Sequence, residues 1–209
     1  MLHKVRHCNV CGSPVDYRKP EDDHQPRHVC RTCGHIQYFN PNVVVGCIPE
    51  WRDGRVLMCR RSTEPGLGLW TFPGGFMELG ETGGQAAARE ALEEAEADVE
   101  ILDLMAVINA PHISQLYLIY RARMRGIHHG ATAESSETCL MYEADIPWEQ
   151  LAFPSVWHSL DLFFTDRAAG NRRFHTLDLT REASRRSVIR PERLPPVMTD
   201  TPGDCAEMF

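Results

Sequence analysis

The stretch Gly75–Ala97, GFMELGETGGQAAAREALEEAEA, is a glycine loop that runs into an acid-rich helix. Thr82 and Gln85 have capping-box spacing, so the helix is expected to start at about Thr82. From that start Glu90, Glu93 and Glu94 fall at i, i+3 and i+4, on one face. Ala88, Ala91, Leu92 and Ala95 are expected on the opposite face, a narrow apolar stripe able to lie close against a sheet. A solvated acidic face is the plain reading of such a pattern. Carboxylates at i and i+4 repel by roughly 0.2–0.5 kcal/mol, however, and a bound cation would compensate. Pro73-Gly74-Gly75 leaves the backbone free to approach a ligand closely. Arg89, beside Glu90, is placed to orient carboxylates that hold a metal.

Working outward, Gly75, Glu81, Arg89, Glu90, Ala91, Glu93 and Glu94 fit G-x5-E-x7-R-E-U-x-E-E with U apolar, every position in register. This pattern resembles the Nudix hydrolase box. The resemblance implies an α/β/α sandwich with a mixed sheet, and hydrolysis of a nucleoside diphosphate linked to another group. It also implies Mg2+ or Mn2+ held by Glu90 and Glu94, with Glu93 assisting and the Gly74 carbonyl as a further ligand. One position departs: Glu96 stands where the family has a glycine. That glycine ends the helix in a left-handed conformation, which costs a glutamate on the order of 1 kcal/mol.

A second motif precedes the first. Cys8-x2-Cys11 and Cys30-x2-Cys33 are separated by eighteen residues, within the range of a four-thiolate zinc site. Gly12 and Gly34 follow the second cysteine of each pair, as in knuckle turns, and four soft thiolates suit a closed, structural Zn2+ site. Disulfides or a redox pair are the weaker readings, because no signal-like apolar run comes before them. His3, His7, His24, His28 and His35 are read as surface residues. A module this small buries little core, so metal would supply much of its folding energy.

At 209 residues the chain suits a small domain and a medium one, expected over 1–40 (zinc ribbon) and 41–180, followed by a basic then Pro-rich tail over 181–209. No apolar run reaches membrane-spanning length, and the expectation is a soluble cytoplasmic protein. A net charge of -7 argues against a broad nucleic-acid surface. Strands are expected at 43–48, 56–60, 69–72, 100–109, 115–124, 139–143 and 172–179, with a second amphipathic helix over 154–169 closed by Gly170.

The family often draws a further metal ligand or base from the loop before Cys139, which makes Glu134 the first choice and Glu137 the second. Otherwise both are residues of a solvated loop. Trp70, Phe72 and Tyr117 are candidates to stack a base or ring. Core packing is the preferred reading for Phe72, and Trp70 is the expected exposed platform. The segments NPNVVVGCIPE, GLGLWTFPGGFMELGET, AFPSVWHSLDLFF and RFHTL are similar to a zinc-ribbon Nudix group that includes plant chloroplast FAD and ADP-ribose pyrophosphatases. That similarity implies an ADP-linked diphosphate as substrate and a homodimer. NADH pyrophosphatases, the runner-up reading, carry an SQPWPFPxS segment, of which Phe153-Pro154-Ser155 is only a remote echo. A non-catalytic Nudix ligand sensor is the reading from another class, weakened by the complete set of box glutamates.

Overall fold

The computed structural model describes residues 5–179. His3 and the expected tail over 181–209 lie outside the described residues. Two compact units meet in sequence between Pro41 and Asn42.

In the first unit β1 (Val15–Arg18), β2 (Arg27–Cys30) and β3 (Ile36–Gln37) form an antiparallel sheet in that order. Each cysteine pair closes a tight turn, with Gly12 N–H donating to Cys8 O at 2.9 Å and Gly34 N–H to Cys30 O at 3.2 Å. Gly12 and Gly34 sit at φ +73° and +74°, a conformation that costs other residues a Cβ clash.

The second unit runs β4 (Asn42–Glu50), β5 (Val56–Arg61), β6 (Trp70–Thr71), β7 (Gly74–Phe76), α1 (Gly83–Ala95), β8 (Val99–Ala110), β9 (Gln115–Met124), β10 (Ser135–Met141), α2 (Pro154–Ala168) and β11 (His175–Asp178). Its sheet is ordered β10-β5-β4-β9-β8-β11, with β6 on β5 and β7 on β4. The β4–β9 and β8–β11 pairs are parallel and the rest antiparallel, so the sheet is mixed. Side chains alternate between its faces. Cys47, Leu57 and Cys59 pack with Ala87, Ala91 and Ala95 of α1, whereas Ile48, Val56 and Met58 pack with Leu160, Phe163 and Phe164 of α2. Small alanines bring α1 close to one face and bulky aromatics fill the other. The fold is an α/β/α sandwich with a mixed sheet.

Thr82 caps α1 as the spacing predicts: Gln85 N–H donates to Thr82 Oγ1 at 3.3 Å and Thr82 N–H to Gln85 Oε1 at 2.8 Å. The apolar stripe is corrected. Leu92 is exposed, and the buried face runs through Ala86, Ala87, Ala91 and Ala95 with Glu90 and Glu94 beside them. Glu96 adopts the left-handed exit at φ 52°, its N–H donating to Ala91 O and Leu92 O. The family's helix exit is therefore kept without the family's glycine. Gly74–Phe76, expected as loop, forms β7, because β4 offers it a partner that its weak strand propensity does not announce. β10 begins at Ser135, four residues ahead of expectation, across a register shift between Ser135 and Glu137. Among the described residues no helix is long and apolar enough to cross a membrane.

Candidate active site

β7 and α1 build the site together. A Cβ on Gly75 would lie 2.6 Å from Glu90 Oε1, and one on Gly74 would lie 2.6 Å from Val45 O, so this close approach requires glycine at both positions. Gly74 N–H donates to Glu94 Oε2 at 2.8 Å. Glu90 and Glu94 are buried, at 7% and 5% exposure, whereas Glu93 on the same helix is exposed. The three carboxylates thus share one side of the helix but not one environment.

Arg89 organises two of them and joins them to Glu81. Its Nε and Nη2 donate to the two oxygens of Glu81 at 3.1 and 2.8 Å, and Nη1 donates to Glu90 Oε1 and Glu93 Oε2, each at 2.9 Å. Nη2 also reaches Phe76 O at 3.1 Å, which ties the loop to the helix. The guanidinium holds Glu81 below the usual carboxylate range. Burial pushes Glu94 up to about 7, reinforced by the charges of Glu90 and Glu134 and opposed by the Gly74 N–H and Arg61. Burial also raises Glu90, against the pull of Arg89.

All of these groups except Glu81 line a cleft of about 760 Å³. Six glutamates (Glu64, Glu78, Glu90, Glu93, Glu94 and Glu134) face two arginines, Arg61 and Arg89, an imbalance that divalent cations would redress. β9 and the start of α2 supply the rest of the wall through Gln115, Tyr117, Phe153 and Ser155. Tyr117 Oη donates to Gln115 Oε1 at 2.5 Å, and the Arg61 guanidinium lies 5.3 Å from the centre of the Phe153 ring.

Of the residues singled out from sequence, the cleft gathers Gly74, Arg89, Glu90, Glu93, Glu94, Glu134, Phe72 and Tyr117. Two expectations are corrected. Trp70 is no exposed platform: it is 7% exposed and packs in the α2-side core, because β6 pairs with β5 and turns the indole inward. Glu137 lies outside the cleft lining, on the surface, ion-paired with Arg60 at 3.3 Å. Phe72 is buried in the core, as preferred, yet its ring also borders the cleft. Sequence reasoning missed Arg61, Gln115, Phe153 and Ser155. Only Phe153 and Ser155 carried a signal, as the faint echo of a known segment.

The first unit holds a different donor set. The Sγ atoms of Cys8, Cys11, Cys30 and Cys33 all lie within 4.8 Å of one another, with Cys8–Cys33 at 3.8 Å and Cys11–Cys30 at 3.4 Å. Backbone N–H groups of Val10, Thr32 and Cys33 point at the sulfurs of Cys8 and Cys30. Four converging thiolates fit a tetrahedral Zn2+. Among the described residues no set of three carboxylates converges as closely. The oxygen donors of the cleft fit a hard cation, Mg2+ or Mn2+, that keeps part of its water shell.

Known proteins resemble this chain in sequence and fold. Residues 40–176 match the NUDIX domain family, and residues 6–39 match the family described as Nudix N-terminal. A NUDIX hydrolase crystal structure from Nitrosomonas europaea superposes with a TM-score of 0.81 at 44% identity, covering 84% of this chain and 99% of that one. An ADP-ribose pyrophosphatase of Methanocaldococcus jannaschii is 36% identical over 74 residues, 35% of this chain and 43% of its own. A NAD-capped RNA hydrolase NudC of Edwardsiella ictaluri is 34% identical over 99 residues, 46% of this chain and 35% of its own. The chain thus spans less than half the length of either curated relative. With one family matched over residues 40–176 and the box carboxylates Glu90, Glu93 and Glu94 lining a single cleft, the chain belongs to the NUDIX domain family.

Proposed function

We propose that the chain is a divalent-metal-dependent pyrophosphohydrolase of ADP-linked diphosphates, with FAD or ADP-ribose the foremost substrates, releasing AMP and a second phosphate ester. The observation that carries this reading is the buried Glu90–Glu94 pair, held by Arg89 and the Gly74 N–H, in the same cleft as Tyr117 and Phe153. Glu90 and Glu94, with Glu93 and Glu134 at the rim, would hold Mg2+ or Mn2+. Bound there, the ion neutralises diphosphate charge and lowers the pKa of the attacking water. Arg89 keeps Glu90 and Glu93 in one geometry through its fork of donors, and the Gly74 N–H holds Glu94. Glu134 is the candidate base that takes the proton of the water adding to phosphorus, as the bridging P–O bond breaks. Tyr117 and Phe153 offer faces to a base or ring, and Gln115 and Ser155 offer polar contacts to its edge. The cysteine cluster would hold a structural Zn2+, in a zinc ribbon ahead of the hydrolase domain. A homodimer, which the resemblance implies, and the cytoplasmic setting expected from the sequence complete the reading.

A second reading, a NAD(H) or NAD-cap pyrophosphatase, has its own observation. Phe153 and Ser155 line the cleft, and relatives matched by the chain are named NAD-capped RNA hydrolases. The test is a product assay with FAD, ADP-ribose, NADH, diadenosine polyphosphates and NAD-capped RNA, each with Mg2+ and with Mn2+. Metal-dependent AMP release from FAD or ADP-ribose, lost in Glu94→Gln, supports the first reading. Preference for NADH or capped RNA selects the second. Binding of these compounds without turnover would make the chain a ligand sensor.

A further inference from the structure

The segment between β9 and β10 completes the end of α1. A helix leaves its last carbonyls without intrahelical partners. Two of them are met from this segment: Gly130 N–H donates to Ala95 O at 2.9 Å, and the Thr132 hydroxyl donates to Glu94 O at 3.2 Å. The same Thr132 oxygen accepts the N–H groups of Glu134 and Ser135, each at 3.2 Å. Thr132 N–H in turn donates to Ser135 O at 2.9 Å. A hydroxyl has one proton and two lone pairs, and here all three are committed. From the other side, Ser62 N–H donates to Glu134 O at 2.9 Å and the Ser62 hydroxyl donates to Ala133 O at 2.5 Å. The backbone of Glu134 is therefore held from both sides, while its side chain lines the cleft with Glu94.

We infer that Thr132 is a positioning residue, whose single hydroxyl sets Glu134 in register with Glu94 by bonding to both backbones. The role rests on the proposed reading of the cleft as a metal-dependent hydrolytic site. Any slack in this hydroxyl moves Glu134 relative to Glu94 and leaves the rest of the sandwich in place. Valine keeps the shape of threonine and removes the three hydroxyl bonds while leaving the Thr132 N–H bond to Ser135 O, whereas serine keeps them all.

The experiment compares wild type, Thr132→Val and Thr132→Ser, each with Glu134 intact and with Glu134→Gln. Hydrogen exchange on the free protein, Mn2+ titration by electron paramagnetic resonance, and kcat and KM on ADP-ribose are measured for all six. Thr132→Val should speed exchange at residues 130–136, leave β8 and β9 protected, and weaken Mn2+ binding. Its kcat should fall about tenfold with little change in KM, the scale of a sub-ångström misplacement. Thr132→Ser should behave as wild type, and in the Glu134→Gln background the valine should cost little more. Unchanged exchange and Mn2+ binding in Thr132→Val, or an equal loss in both backgrounds, overturns the role. If the valine variant does not fold, Ser62→Ala takes its place, with the same localised exchange expected and a global change refuting it. A wild type inert on every ADP-linked diphosphate overturns the proposed activity, and exchange and Mn2+ binding then decide the positioning role on their own.

Discussion

Replacing Glu94 with Gln should stabilise the metal-free protein at alkaline pH while abolishing turnover. The Glu94 side chain is 5% exposed, and burial pushes its carboxyl from the usual 4.5 to about 7. The folded state therefore holds this proton more tightly than the unfolded chain does. Stability from this group is full below about 4.5, drains as pH rises toward about 7, and stays lost above it. At 1.36 kcal/mol per pH unit, that interval amounts to about 3 kcal/mol. Glutamine has no proton to lose in this range, and its amide oxygen can still accept the Gly74 N–H. For a chain of this size each kcal/mol moves Tm by roughly 2–4 °C, so the variant should melt about 6–12 °C higher at pH 8. The gap should shrink to roughly a quarter at pH 5, where the folded carboxyl is protonated and only the unfolded one is still largely ionised. Calorimetry of both proteins at the two pH values, without added divalent ions and then with excess Mg2+, makes the comparison. Mg2+ should raise the wild-type Tm by mass action and leave the variant nearly unmoved. A wild type as stable as the variant at pH 8, or a gap undiminished at pH 5, would refute the reasoning.

Other consequences follow from the same geometry. Gly75→Ala sets a Cβ 2.6 Å from Glu90 Oε1, and displacing that carboxylate should cut turnover about 10²-fold with a small change in Tm, read by kinetics beside a melting curve. Cys8→Ser removes one of four converging thiols. Bound zinc, measured by mass spectrometry, should drop, and the ribbon amides should lose exchange protection, since zinc binding is folding energy in such modules. Glu96→Gly relieves a residue at φ 52° and should add about 1 kcal/mol in a urea titration, without changing Mn2+ affinity.

Much of the fold was legible because its signals are local. The apolar and aromatic run within 115–124 is expected as a strand, and the structure returns Gln115–Met124. The Thr82–Gln85 cap marked the start of α1. Where pairing came from far along the chain, local reading failed: β7 looked like a glycine loop until β4 paired with it, and Leu92 looked like core until α1 was seen to pack on its alanines. The two loop glutamates lie three residues apart, yet one lines the cleft and the other pairs with Arg60. A register shift between Ser135 and Glu137 separates them, and no composition or spacing signals it.

Sequence alone determined which residue types recur at which intervals: the box carboxylates, the arginine among them, and the two cysteine pairs. Those intervals are properties of a single helix or a single turn, so they need no knowledge of what packs against them. Tertiary structure decided which carboxylates lose water, which aromatic rings border the cleft, and which loop glutamate lines it with Glu94. Each of these depends on how closely distant segments approach, as when Gly74 and Gly75 come against Glu94 and Glu90. Desolvation is set by that approach, and with it the tighter hold of Glu90 and Glu94 on their protons.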